Sequence, residues 1–206
     1  MELKEILDKL SVFGSDQPLP REALAEAARQ RETITPILLD ALDVVYEKVQ
    51  SEGKGVCDDP AYDLSAYAVF LLAQFQEQRA FPKLLRLLTL DSDGLDIVLN
   101  DIIGNMGNVL YSTYDGDLSA AKAIIVNSSY DPFARGASLD LLEGLFRDGR
   151  LQREELAGFL RERLALLGEG ENEEIFGAMT ASLIADNDLY ELVEDVREAF
   201  RLEKID

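Results

Sequence analysis

Histidine is absent from this 206-residue chain, and cysteine occurs once, at Cys57. Those two absences exclude more chemistry than any motif supplies. Without an imidazole there is no Ser–His–Asp or Cys–His catalysis, no zinc site of the Cys/His type, and no Glu-x-x-His di-metal centre of the kind helical bundles carry. A single thiol forms no intramolecular disulfide, which fits a reducing compartment. Cys57 stands beside Asp58 and Asp59, so it reads as an inert thiol rather than a nucleophile. Tryptophan is also missing, and aromatics make up only 8% of the residues. No apolar run approaches the roughly 20 residues of a membrane-crossing helix. The opening Met1-Glu2-Leu3-Lys4-Glu5-Ile6-Leu7 lacks the uninterrupted apolar core of a signal peptide, so a cytoplasmic protein is expected.

Basic charge is scarce as well: 20 Lys and Arg stand against 40 Asp and Glu, a formal charge of −20. Such a field repels nucleic-acid phosphates and anionic lipid heads, so neither a nucleic acid nor a membrane is expected as partner. Between Leu87 and Ala134 the only basic residue is Lys122. The arginines at 147, 150, 153, 161 and 163 are interspersed with Glu154, Glu155 and Glu162, which predicts a solvated face laced with ion pairs rather than a basic patch.

What is present is leucine, alanine and helical spacing. Leu38, Leu42, Val45 and Val49 fall on one helix face, as do Leu156, Leu160, Leu164 and Leu167; Ile175, Met179 and Leu183 form a third stripe, and Leu189, Val193, Val196 and Phe200 a fourth. No stretch sustains the alternation of a half-buried strand. Thr35-Pro36 and Asp131-Pro132 each pair a capping side chain with a proline at the first helical position, and Asp188 with Glu191 has capping-box spacing. Breaks at Gly14 to Pro20, Gly53 to Pro60, Asp91 to Gly94, Asp115 to Asp117, Asp148-Gly149 and Gly168 to Asn172 divide the chain into about ten to twelve helices. They group in pairs from about Asp63, Asp96, Pro132 and Glu173, a period of about 35–40 residues. A helix pair this small cannot bury its own apolar face, whereas stacked neighbours can. The prediction is an all-α, HEAT/armadillo-like superhelical stack forming a single helical-repeat domain over 1–206.

Three further features bear on function. Asn100-Asp101-Ile102-Ile103-Gly104-Asn105-Met106-Gly107-Asn108, followed by Tyr111 and Tyr114, puts Asn and Gly inside a helical pattern, where each costs stability relative to Ala. One reading is an Asn/Tyr-lined binding patch of Asp101, Asn105, Asn108, Tyr111 and Tyr114; the other is a helix break, with Gly104 or Gly107 allowing close packing and the Asn residues capping ends. Asp91-Ser92-Asp93-Gly94-Leu95-Asp96 lacks the ligand and glycine positions of a calcium loop, as does Tyr114-Asp115-Gly116-Asp117, so both read as capped turns. Tyr62, Tyr67, Phe70 and Phe75 share an Ala/Leu-rich helix and read as core, an exposed subset marking a partner site.

Pro20-Arg21-Glu22-Ala23-Leu24, Arg31-Glu32-Thr33-Ile34-Thr35-Pro36, Leu110-Tyr111-Ser112-Thr113-Tyr114-Asp115-Gly116-Asp117, and Arg135-Gly136-Ala137 through Asp148-Gly149-Arg150-Leu151 together resemble an uncharacterised bacterial family, domain of unknown function 1186, over about Val12 to Phe200. The resemblance implies a HEAT-like helical-repeat fold and carries no activity. Some relatives end in a Cys-rich zinc motif; Arg201-Leu202-Glu203-Lys204-Ile205-Asp206 holds no such cysteines, so nothing resting on that tail transfers.

The reading these features favour is a non-enzymatic protein- or peptide-binding module that needs no cofactor, monomeric or weakly dimeric. Its first helix, with Leu3, Ile6, Leu7 and Leu10, would cap the stack or pair with a second copy. The alternative is a small-ligand binder or enzyme using carboxylate, Asn and Tyr groups, which calls for an enclosed pocket with a perturbed carboxylate.

Overall fold

The computed structural model describes residues 1–12, 18–58 and 60–205, and their side chains except at 58, 60, 61 and 101. Among them every regular element is helical: twelve α-helices and four short 3-10 helices, with no strand. The chain forms two compact units, Met1–Ile102 with Ser112–Asp117, and Ile103–Tyr111 with Leu118–Asp206.

The first unit holds α1 (Leu3–Leu10), α2 (Arg21–Arg29), α3 (Arg31–Glu52), α4 (Pro60–Gln74), α5 (Phe81–Leu87) and α6 (Ser92–Leu99). Its centre is α3, which packs on α4, α5 and α6. The predicted stripe of Leu38, Leu42, Val45 and Val49 is buried there. Removing that much apolar surface from water is worth roughly 1.5–3 kcal/mol for each large side chain. The Thr35-Pro36 start is corrected: α3 begins at Arg31, with Pro36 inside its second turn. Thr35 turns its hydroxyl back onto the Arg31 carbonyl at 2.7 Å, as a helical rather than a capping residue does. The first helix buries Ile6 and Leu10 against α2 and α4, so its apolar side is used within the unit. On α4, Tyr67 is core and the half-buried Tyr62 donates its hydroxyl to the Ile97 carbonyl at 2.7 Å, while Phe70 is exposed; Phe75, just past the end of α4, is core. The break expected over Gly53 to Pro60 is a wound one: Gly53–Asp58 forms a 3-10 helix and α4 opens at Pro60. Asp91 caps α6 by accepting from the Gly94 amide at 2.9 Å, and Asp115 accepts from the Asp117 amide at 3.0 Å, so both acidic segments are capped turns.

Around α7 (Met106–Thr113) the backbone passes from the second unit to the first. The rest of the second unit comprises α8 (Ser119–Val126), α9 (Pro132–Arg147), α10 (Arg153–Ala165), α11 (Glu171–Asp186) and α12 (Val193–Arg201). The Asp131-Pro132 start is observed: Pro132 opens α9, and Asp131 accepts from the Phe133 amide at 2.9 Å. Leu156, Leu160, Leu164 and Leu167 are buried as their spacing requires. The Asp188/Glu191 capping box does not form. Asp188 sits at φ +52 and accepts the Tyr190 hydroxyl, a 3-10 turn intervenes, and α12 starts at Val193 without a side-chain cap.

Polar ties between helices recur at separations of 33 to 38 residues in both units, with others at 40 and 44. Tyr62 reaches Ile97 across 35 residues and Gln78 reaches the Tyr114 carbonyl across 36. Tyr111 reaches Asp148 across 37, Lys122 reaches Glu155 across 33, Arg153 reaches Glu191 across 38, and Arg161 reaches Asp195 across 34. The arginine run therefore ties one helix pair to the next in the second unit. Of the interspersed glutamates, Glu162 pairs within its own helix with Arg163 at 3.9 Å, and Arg147 pairs within α9 with Glu143.

Candidate functional site

The five residues singled out from the sequence separate. Asn105, Asn108 and Tyr111 belong to the second unit and Tyr114 to the first. The side chain of Asp101 lies outside the described residues. Asn105 ends a 3-10 helix that runs directly into α7 at Met106, and Asn105 and Asn108 are both exposed. Tyr111 donates to the Asp148 carboxylate at 2.8 Å, and that bond raises its phenol pKa. The Tyr114 ring stands edge-on to Phe81 with centroids 5.4 Å apart. Both tyrosines thus hold structural partners inside their own units.

What remains open lies elsewhere in the second unit. The stripe of Leu189, Val193, Val196 and Phe200 was expected to be covered by a neighbour. Only Leu189 is buried; Val193 and Val196 are half-buried, and Phe200 is 46% exposed. Together with Ile184 on α11 they line an apolar cleft of about 370 Å³, and Tyr190, 73% exposed, stands on its rim. An exposed apolar surface of this kind, rimmed by polar groups, is what interaction sites present. Its charged neighbours are largely satisfied: Arg197 pairs with Glu194 at 2.5 Å and Arg201 with Glu198, while Asp186 and Asp188 leave the α11 end acidic.

A smaller pit of about 150 Å³ opens beside α9, lined by Ile103, Gly104, Phe133, Gly136, Asp140 and Met179, with Ala137 at its base. Phe133, Gly136, Ala137 and Asp140 follow helical spacing, so one stripe of α9 faces the pit. Two glycines allow close approaches here. A Cβ on Gly107 would lie 2.3 Å from Cβ of Asp140, and one on Gly136 would lie 2.6 Å from Sδ of Met179. Gly104, by contrast, faces open space. The Asp140 side chain keeps contact with solvent, yet close packing around its carboxyl raises its pKa, and the charge of Glu143 adds to the rise. Among the described residues no lysine or arginine pairs with it. Glu143 itself is occupied by Arg147 and Asn187. The signal for this pit was in the sequence: a carboxylate at the end of the apolar stripe Phe133, Gly136, Ala137, with glycines inside two helical patterns.

Another depression, about 550 Å³, is lined mostly by polar groups, among them Ser128, Glu169, Glu171, Asn172 and Glu173. Its one buried acid is already committed. Glu173 pairs with Arg135, and its other oxygen accepts from the Gly168 amide at 3.0 Å. Arg135 further donates to the Ile125 carbonyl at 3.1 Å and lies 3.6 Å over the Phe176 ring. That network joins α8, α9 and α11 and is structural.

Among the described residues no helix is long and apolar enough to cross a membrane. The sequence profile of a family described as protein of unknown function (DUF1186) matches residues 1–206. The chain is similar to an uncharacterised protein of Chlamydia trachomatis serovar D, 30% identical over 209 residues that span 100% of this chain and 79% of the relative. It is similar, also at 30% identity over 209 residues, to an uncharacterised protein of Chlamydia muridarum, covering 80% of that relative. No solved structure matches the chain significantly.

Proposed function

This chain belongs to the family of proteins of unknown function DUF1186, and we propose that it is a non-enzymatic protein- or peptide-binding module whose helix pairs stack as HEAT-like repeats. The repeat reading is supported by the ties at 33 to 38 residues, the separation at which nearest-neighbour repeats touch. The observation that carries the binding reading is the α11–α12 cleft. An apolar stripe of the spacing that is core elsewhere in the chain is here left half-open, with Tyr190 and Phe200 as exposed aromatic anchors. The alternative of a small-ligand enzyme calls for an enclosed pocket with a perturbed carboxylate; Asp140 has the raised pKa, but its pit of about 150 Å³ is smaller than a substrate pocket.

The occupant that fits is an amphipathic helical segment with basic flanks. Its apolar face would fill the groove at helical spacing. Its charge would complement Asp186, Asp188 and the net −20 of the chain. A second copy would bring another −20, which disfavours self-association at this face.

Panning a helical peptide library against the wild-type chain, with Val196→Glu as counter-selection, tests this. The expected outcome is peptides with apolar residues at helical spacing and Lys/Arg flanks that lose about tenfold or more in affinity for the variant. Peptides that bind both proteins equally, or none that bind specifically, would overturn it.

A further inference from the structure

The geometry points to the pit beside Asp140 as a receptor for one basic side chain, the stem of a lysine entering between Phe133 and Met179 and its ammonium meeting the Asp140 carboxylate. Three observations carry this. The first is size: about 150 Å³ is the room of about five waters at ~30 Å³ each, matching the few heavy atoms of a butylammonium group and far below a substrate pocket. The second is lining. Ile103, Ala137 and Met179 offer an apolar wall to a methylene stem, and Phe133, 51% exposed, offers an aromatic face to a cation. The third is charge. Asp140 is the one ionisable group among the lining residues, and no lysine or arginine among the described residues neutralises it.

The local packing shows what holds the carboxylate there. Gly107 on α7 backs onto Cβ of Asp140, and Gly136 lets Met179 of α11 come against α9. A larger residue at either position would displace the wall it touches. Asp140 is exposed at the pit, so its carboxylate is within reach of an incoming ammonium. The charge-assisted hydrogen bond it can accept favours a cation over a neutral side chain.

This inference deepens the peptide-binding reading but does not stand on the α11–α12 cleft. The chain contains three methionines, Met1, Met106 and Met179, so a methyl-labelled protein gives a reporter inside the pit and two outside it. Nα-acetyl-lysine amide is the probe, and Nα-acetyl-norleucine amide is the neutral control of similar shape. The expected result is a saturable shift of the Met179 methyl signal with the lysine probe, much less with norleucine, and affinity reduced about tenfold or more in Asp140→Asn. Phe133→Ala also weakens binding, which keeps the test independent of a single variant. Val196→Glu leaves the titration unchanged, so failure of the cleft and failure of the pit are read separately. Equal shifts with lysine and norleucine, an Asp140→Asn protein that binds lysine as wild type does, or a Met179 signal that does not move would each overturn the assignment.

Discussion

Two stripes of similar sequence pattern meet opposite fates. On α3, Leu38, Leu42 and Val45 are sealed beneath α4, α5 and α6. On the turn into α12, Leu189 is sealed, but Val193, Val196 and Phe200 progressively emerge into the cleft. Helical period states which side of a helix is apolar; it does not state what covers that side. The covered stripe holds a unit together, whereas the open one buries less apolar surface within its unit. The same contrast separates the polar ties of the second unit. Arg135–Glu173 is buried and tied further to the Ile125 carbonyl and the Gly168 amide, whereas Arg153–Glu191 and Arg161–Asp195 lie more exposed.

The buried tie should produce the largest effect. Glu173→Ala strands Arg135 in the core and is expected to cost about 3–5 kcal/mol in urea unfolding. Arg153→Ala is expected to leave the midpoint nearly unchanged, more so at high salt, because its pair is exposed. If the two variants lost equal stability, the distinction between buried and exposed ties would fail. The stripes come next. Leu38→Ala should cost about 2–5 kcal/mol, while Val196→Ala stays within about 0.5 kcal/mol. The glycines give a finer contrast. Gly107→Ala forces a Cβ onto Asp140 and is expected to cost about 1–3 kcal/mol, while Gly104→Ala, facing open space, changes stability by no more than about 0.5 kcal/mol.

The smallest effect is a pH dependence. The carboxyl of Asp140 titrates above its ordinary 3.8 in the folded protein, so its neutral form is the one the fold favours. Stability is then highest below the unfolded value and declines as pH rises from 3.8 through the folded value. Asp140→Asn removes the decline. Its melting temperature should exceed that of wild type at neutral pH and converge with it below 3.8. A constant offset at every pH would point to packing rather than ionisation.

Much of the fold was legible. Helical spacing identified the buried faces of α3 and α10, Asp131-Pro132 marked the start of α9, and the breaks gave about ten to twelve helices against the twelve α-helices among the described residues. The starts that misled were those where tertiary context overrode local chemistry. Pro36 is tolerated in the second turn of α3, and Asp188 adopts a positive φ and holds Tyr190 instead of capping α12. The site was less legible. The Asn/Gly segment did mark an unusual place, because Gly104 lines the pit and Gly107 permits the contact with Asp140. The residues with free chemistry there are Asp140, Phe133 and Met179, which come together only once α7, α9 and α11 are packed; spacing along one helix reveals two of them and never the third.

The central claim is that the α12 stripe serves binding rather than folding. Calorimetric titration of wild type and Val196→Glu with one selected basic amphipathic peptide, alongside urea midpoints for both, tests it most directly. The account expects midpoints that nearly coincide and an affinity about tenfold or more weaker in the variant. A midpoint shift as large as that of Leu38→Ala, with peptide affinity unchanged, would contradict it and make the stripe part of the core.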